Sequence, residues 1–100
     1  MLFHRTQAAA AQAIEKDDPE AALDALQDGL ERMRAFFATH GAEEEFEENA
    51  MVQQLRKMDR SVREHHKIEN TLQEQLLVAV LKEDYEAAAE LRDQIRRRQQ

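Results

Sequence analysis

A chain of 100 residues makes one domain, or two very small ones sharing a helix, and its limited core favours association into a helical oligomer, most simply a dimer. Hydrophobic residues are 42% and charged residues 35%, with Gly29, Gly41 and Pro19 the only backbone punctuation, so the sequence is too apolar for disorder and too unbroken for a sheet. With 14 Lys and Arg against 21 Asp and Glu, the net charge of −7 disfavours nonspecific attraction to nucleic acid or anionic membrane, and the lack of cysteine removes disulfides, thiolate zinc sites and thiol nucleophiles together.

The longest aliphatic run, Leu76 to Leu81, is too short to span a bilayer, and MLFHRT lacks the regions of a signal peptide. The expectation is a soluble cytoplasmic protein, or a soluble fragment of a larger one.

The spacing predicts a first helix from about Phe3 to Lys16, built of strong helix formers with Phe3, Ala10 and Ile14 on one face. Asp17, Asp18 and Pro19 stop it. Asp18 is placed to cap a second helix, Pro19 to be its first residue, and Glu20 to put negative charge where the macrodipole is positive. So short a turn makes the two helices antiparallel, a hairpin over residues 3–39. The second helix, Pro19 to about Thr39, places Leu23, Leu26, Leu30, Met33 and Phe37 at steps of three and four, a coiled-coil-like seam. Gly29 beside that seam costs roughly 1 kcal/mol relative to alanine. Either a neighbouring helix approaches closely there, or the glycine is a tolerated defect. His40 and Gly41 read as a helix end, the glycine supplying the left-handed turn.

From Ala42 to Lys82 there is no glycine or proline, and Met51, Leu55, Met58, Val62, His65, Leu72, Leu76 and Ala79 fall on one heptad stripe. One long helix over 42–82 is expected. Its weak section is Asp59 to Asn70, charge-dense and poorly in register, where a kink or break would fall. The acidic run Glu43 to Glu48 would occupy the first turns of this helix, as a solvated start or a docking point for a basic partner. Phe46 within it lies off the stripe, either a second contact face toward the first helix or an exposed anchor.

The final helix follows Glu83 and Asp84, with Asp84 a cap and Tyr85, Ala88, Leu91 and Ile95 on its inner face. Asp93 is spaced to pair with Arg97, and Arg96, Arg97 and Arg98 sit where the macrodipole favours cations. Glu15 to Met33 also aligns without gaps on Leu81 to Gln99. Lys16, Asp18, Glu20, Ala21, Ala22 and Arg32 match Lys82, Asp84, Glu86, Ala87, Ala88 and Arg98. This is an internal duplication, or the generic likeness of two acidic turns that open alanine-rich helices.

Catalytic chemistry has few candidates. Ser61 lies one turn from His65, a spacing that arises often by chance, and Gly29 and Gly41 build no phosphate loop. His65, His66 and Glu69 define a second reading, a helical-bundle metal protein or enzyme, although His66 points about 100° away from the face shared by His65 and Glu69. The Glu-x-x-His motif of bundle iron sites is absent. A third reading, nucleic-acid binding through Arg96 to Arg98, is opposed by the net charge.

The stretch DYEAAAELRDQI, Asp84 to Ile95, resembles the UVR motif, named for the bacterial excision-repair proteins UvrB and UvrC and seen also in Clp-protease-associated proteins. Tyr85 stands as the motif's aromatic, Glu86 as its glutamate, Ala88 and Ala89 as its alanine pair, Arg92 and Asp93 as its charged pair and Ile95 as its aliphatic. Leu77 and Val80 stand where the family has apolar residues on the preceding helix. The resemblance implies an antiparallel hairpin over 76–98 that contacts other proteins, often a similar hairpin, without catalytic activity or cofactor of its own. The N-terminal copy departs from the pattern, with Pro19 at the aromatic and Leu26 and Gln27 at the charged pair, which favours a scaffold role. The expectation is an all-α protein of four helices that binds a helical hairpin, or itself, through Leu77, Val80, Tyr85, Glu86, Ala88, Leu91, Arg92, Asp93 and Ile95. Orientation would be set by Glu86, Arg92 and Asp93.

Overall fold

The structure, a computed structural model, describes residues 2–99; Met1 and Gln100, the ends of the expected 1–100 domain, lie outside the described residues. The all-α class holds, but the described residues form five α-helices and one short 3-10 turn where four helices were expected. The chain divides into two compact units, Met1–Ile68 and Glu69–Gln100. No helix among the described residues is long and apolar enough to cross a membrane.

In the first unit, helix α1 (Leu2–Glu15) and helix α2 (Pro19–Thr39) are joined by a turn in which Asp17 takes a left-handed φ of 58°. The Asp18 carboxylate accepts the Ala21 N–H at 3.0 Å, satisfying one of the free amides at the start of α2. Thr6 of α1 meets Gly29 of α2, about equally far from the turn on either side, so the pair is antiparallel. A Cβ on Gly29 would stand 2.8 Å from Thr6 Cβ and nearer still to Thr6 Oγ1 and Cγ2. The glycine is therefore there for close approach, and Thr6, a polar residue on the same side of α1 as Phe3 and Ala10, is buried against it. Ile14, expected on that face, is exposed. The seam of α2 is buried at Leu23, Leu26, Leu30 and Met33, with Phe37 partly buried, and Gly41 ends the segment at φ 64°.

The expected helix over 42–82 is not one element. Glu43–Glu45 form a single 3-10 turn, helix α3 runs over Ala50–His66, and helix α4 over Leu72–Leu81. Phe46 explains the first interruption, because it is buried in the core, edge-on to Phe37 with ring centroids 5.7 Å apart. Full burial of a Phe side chain is worth about 1.5–3 kcal/mol, more than continuing a helix of glutamates would return. The guanidinium carbons of Arg34 and Arg56 lie 4.5 and 5.7 Å from its ring centroid, and Glu47 bridges the two arginines at 3.4 and 2.8 Å. Phe46 is therefore no exposed anchor but a contact face, packed on Phe37 of α2.

Asn49 then opens α3, its side chain accepting from Met51 and Val52 N–H at 2.9 and 3.2 Å. That start turns Val52 into the core beside Leu55 and leaves Met51 exposed, so the buried face keeps Leu55 of the heptad stripe but is rotated from it toward Val52 and Asp59. Asp59 continues it, held by Arg63 at 2.6 Å and Gln27 at 2.8 Å. The second interruption comes at Lys67, whose φ of 56° stops α3 with its N–H on the Arg63 carbonyl. Thr71 restarts the chain with a capping box: its hydroxyl accepts Glu74 N–H at 3.1 Å, and Glu74 Oε1 accepts Thr71 N–H at 2.8 Å.

Gly29→Ala gains about 1 kcal/mol of intrinsic helix propensity, yet it should lower the unfolding free energy by about 1–3 kcal/mol net through overpacking. Thr6→Ala in the same chain should recover part of that loss in a urea titration, and a stabilised Gly29→Ala would show that the helices do not meet there. Thr71→Ala should cost about 1 kcal/mol, read as faster amide exchange in the first turn of α4.

Candidate functional site

The second unit is a hairpin of α4 and helix α5 (Tyr85–Arg98). Its closure rests on two small residues, Ala79 and Ala88, both buried, with Leu76, Leu91 and Ile95 half-buried around them. Asp84 caps α5, its carboxylate accepting Ala87 N–H at 3.2 Å, and Glu83 turns the chain with φ 59°. This turn repeats the backbone hydrogen bonds and the left-handed residue of the one in the first unit. Asp17 N–H bonds the Ile14 carbonyl at 2.9 Å and Asp18 N–H the Ala13 carbonyl at 2.9 Å; Glu83 bonds Val80 at 3.0 Å and Asp84 bonds Ala79 at 2.8 Å. Ala22 and Ala88, at the same place after each turn, are both fully buried.

Because two alanines close the hairpin, the bulky side chains of α4 point elsewhere. Leu77, Val80 and Leu81 are 59, 38 and 74% exposed, and Val78 is exposed beside them. Leu77, Val80 and Leu81 lie three and four residues apart, on one side of the helix. Tyr85 is 64% exposed, which corrects its expected place on the inner face. Of the other expected contact residues, Glu86, Arg92 and Asp93 are exposed, Ala88 is buried, and Leu91 and Ile95 are half-buried. Asp93 reaches Arg96 at 3.9 Å rather than Arg97, an exposed pairing worth only a few tenths of a kcal/mol at most. Val78 and Leu81 were missing from the expected set. The signal for them was present, since six consecutive apolar residues, Leu76 to Leu81, surround a helix that one neighbour covers on a single stripe.

Residues 67–100 match the family model of the UvrB/uvrC motif. This segment carries a UVR motif. The match covers all of α4 and α5 and none of the helices of the first unit. No curated protein and no solved structure matches the chain. The UVR hairpin and the α1–α2 hairpin differ most where the former is apolar and exposed. Leu77, Val78, Val80, Leu81 and Tyr85 occupy the positions that Ala11, Gln12, Ile14, Glu15 and Pro19 hold in the first hairpin. The same turn and the same alanine closure form with either set.

The residues of the metal and enzyme reading are placed differently from expectation. His65 and His66 stand edge-on with ring centroids 4.8 Å apart near the end of α3, and Glu69 follows the left-handed Lys67, so His65 and Glu69 do not share a helix face. Among the described residues no group of three or more His, Asp or Glu side chains is arranged to hold a metal ion. Ser61 and His65 are both exposed on α3.

Ala88→Leu should force α4 and α5 apart and destabilise the UVR hairpin by about 1–3 kcal/mol. Hydrogen exchange should then accelerate in α4 and α5 and stay unchanged in α1 to α3. Uniform acceleration would show that the hairpin does not close on Ala88.

Proposed function

We propose that the chain is a non-enzymatic protein–protein interaction module whose UVR hairpin docks a helical partner. That partner is another UVR-type hairpin, and a second copy of the chain is its simplest form. The observation that carries this reading is the exposure of Leu77, Val80, Leu81 and Tyr85 on a hairpin that folds without them. Bulky apolar side chains in a contiguous exposed patch mark interaction surfaces, and at the corresponding places the first unit has alanine, isoleucine, glutamate and proline, so the UVR hairpin adds two leucines and a tyrosine to that surface. Glu86, Arg92 and Asp93, exposed on α5, supply a charged rim that sets orientation more than affinity. A cytoplasmic setting, suggested by the lack of cysteine, belongs to the same reading.

Leu81→Asp tests it with little risk to folding, since the side chain is 74% exposed and surface substitutions usually shift stability by within about 0.5 kcal/mol. Circular dichroism should be unchanged, while self-association by light scattering, or retention of a UVR-type hairpin on an affinity column, should fall at least about tenfold. A folded Leu81→Asp variant that keeps both would refute the proposed surface.

A further inference from the structure

A second apolar feature lies within the first unit, away from the UVR motif in sequence. Leu2 and Phe3 of α1, Met33, Phe36 and Phe37 of α2, and Met51 of α3 line an open cavity of about 310 Å³, with Asn49 at its wall. Phe36 is 60% exposed there and is held in place by its neighbour, the His40 ring lying 4.3 Å away with His40 Nδ1 2.9 Å from the Phe36 carbonyl. Met51 is displaced to this rim by the Asn49 cap, which spends Val52 rather than Met51 on the core. A wall of methionine and phenylalanine adapts to a bulky apolar side chain more readily than to one fixed shape.

The charge beside this cavity is one-sided. The segment that supplies Asn49 also carries Glu43, Glu44, Glu45, Glu47 and Glu48, and Thr39 to Asn49 contains no Lys or Arg. Glu47 is engaged by Arg34 and Arg56; Glu43, Glu44, Glu45 and Glu48 stand exposed. On the α1 side, His4 and Arg5 adjoin Phe3, so the negative potential lies along the link from α2 to α3. The tip of the UVR hairpin is a poor complement, because Glu83, Asp84 and Glu86 outnumber the single Lys82 around its Leu81 and Tyr85. Like charges would meet if a second copy docked by that route.

We infer that this cavity binds a basic amphipathic helix of a partner protein, one apolar side chain entering among Phe36, Met33 and Met51 and the Lys or Arg residues beside it facing Glu43 to Glu48. Apolar burial supplies the affinity and the glutamates supply rate and selection. All of the residues that line it belong to the first unit and none to the UVR motif.

The test uses the full chain and a fluorescent helical peptide of leucine and lysine, about 14 residues or four turns long, with a leucine–glutamate peptide as its counterpart. Anisotropy should show binding of the lysine peptide that weakens as salt rises, and none of the glutamate peptide. Phe36→Asp and Met51→Glu should each lower affinity at least about tenfold with circular dichroism unchanged. Both add negative charge, so an attraction that was merely electrostatic would tighten instead, and that result would overturn the inference. Replacing Glu43, Glu44, Glu45 and Glu48 by Gln should flatten the salt dependence. Leu81→Asp should leave peptide binding unchanged; a loss there would place the peptide on the UVR hairpin and overturn the inference, as would a dimer of the free chain that Phe36→Asp dissolves.

Discussion

Small side chains where helices meet govern this protein. Gly29 lets Thr6 of α1 lie against the backbone of α2, and Ala79 and Ala88 do the same for α4 and α5. Close approach gives dense packing at little side-chain entropy cost, but it sets a condition on everything larger. A leucine or phenylalanine on such a hairpin cannot be accommodated at the closure and must find cover on another face. In the first unit α3 provides that cover, with Val52 and Leu55 packed in the same cluster as Leu26 and Leu30. The UVR hairpin has the same closure and leaves Leu77, Val80 and Leu81 outside it.

The polar residues of the first unit act on the same constraint by fixing where α3 lies. Asp59 is buried on α3 and held from two helices, by Arg63 on its own and by Gln27 on α2. A buried carboxylate left without those partners would be costly, so the register of α3 on α2 is specified by charge as well as by shape. Phe46 works from the other end. Its ring packs on Phe37 while Arg34 and Arg56, tied by Glu47, close over it, which seats the α2–α3 link and directs Asn49 to begin the next helix. The face of α3 turned to the core, and the exposure of Met51, follow from that start.

Much of this was legible in the residues. Asp18 and Asp84 as caps, Pro19 as a first helical residue, Gly41 as a left-handed stop and the α2 seam all follow from local rules, and each is where those rules place it. The UVR motif was legible because its residues are contiguous. The long helix failed for an identifiable reason: a heptad stripe averages over many residues, whereas helix ends are decided by a few. Asn49 caps α3 and Thr71 and Glu74 form a capping box before α4, and a stripe read for hydrophobic spacing registers neither. The break at Lys67 falls within Asp59 to Asn70, the section where a kink or break was expected, but the residue that makes it was not legible, since a lysine in the left-handed region is set by what surrounds it. Tyr85 was assigned inward by spacing alone, yet spacing does not say which stripe a neighbour covers.

The sequence by itself determined the helical class, the two capped turns and the hairpin that carries the UVR motif, because caps, turns and alanine-rich periodicity act over a few residues. Tertiary structure alone decided that Phe46 leaves a run of glutamates to enter the core, that Gly29 is there for Thr6, and that α3 turns Val52 rather than Met51 inward. It also decided which apolar residues stay outside. Burial is a competition among all side chains for limited cover, and the winner at each position depends on neighbours that the local pattern does not contain.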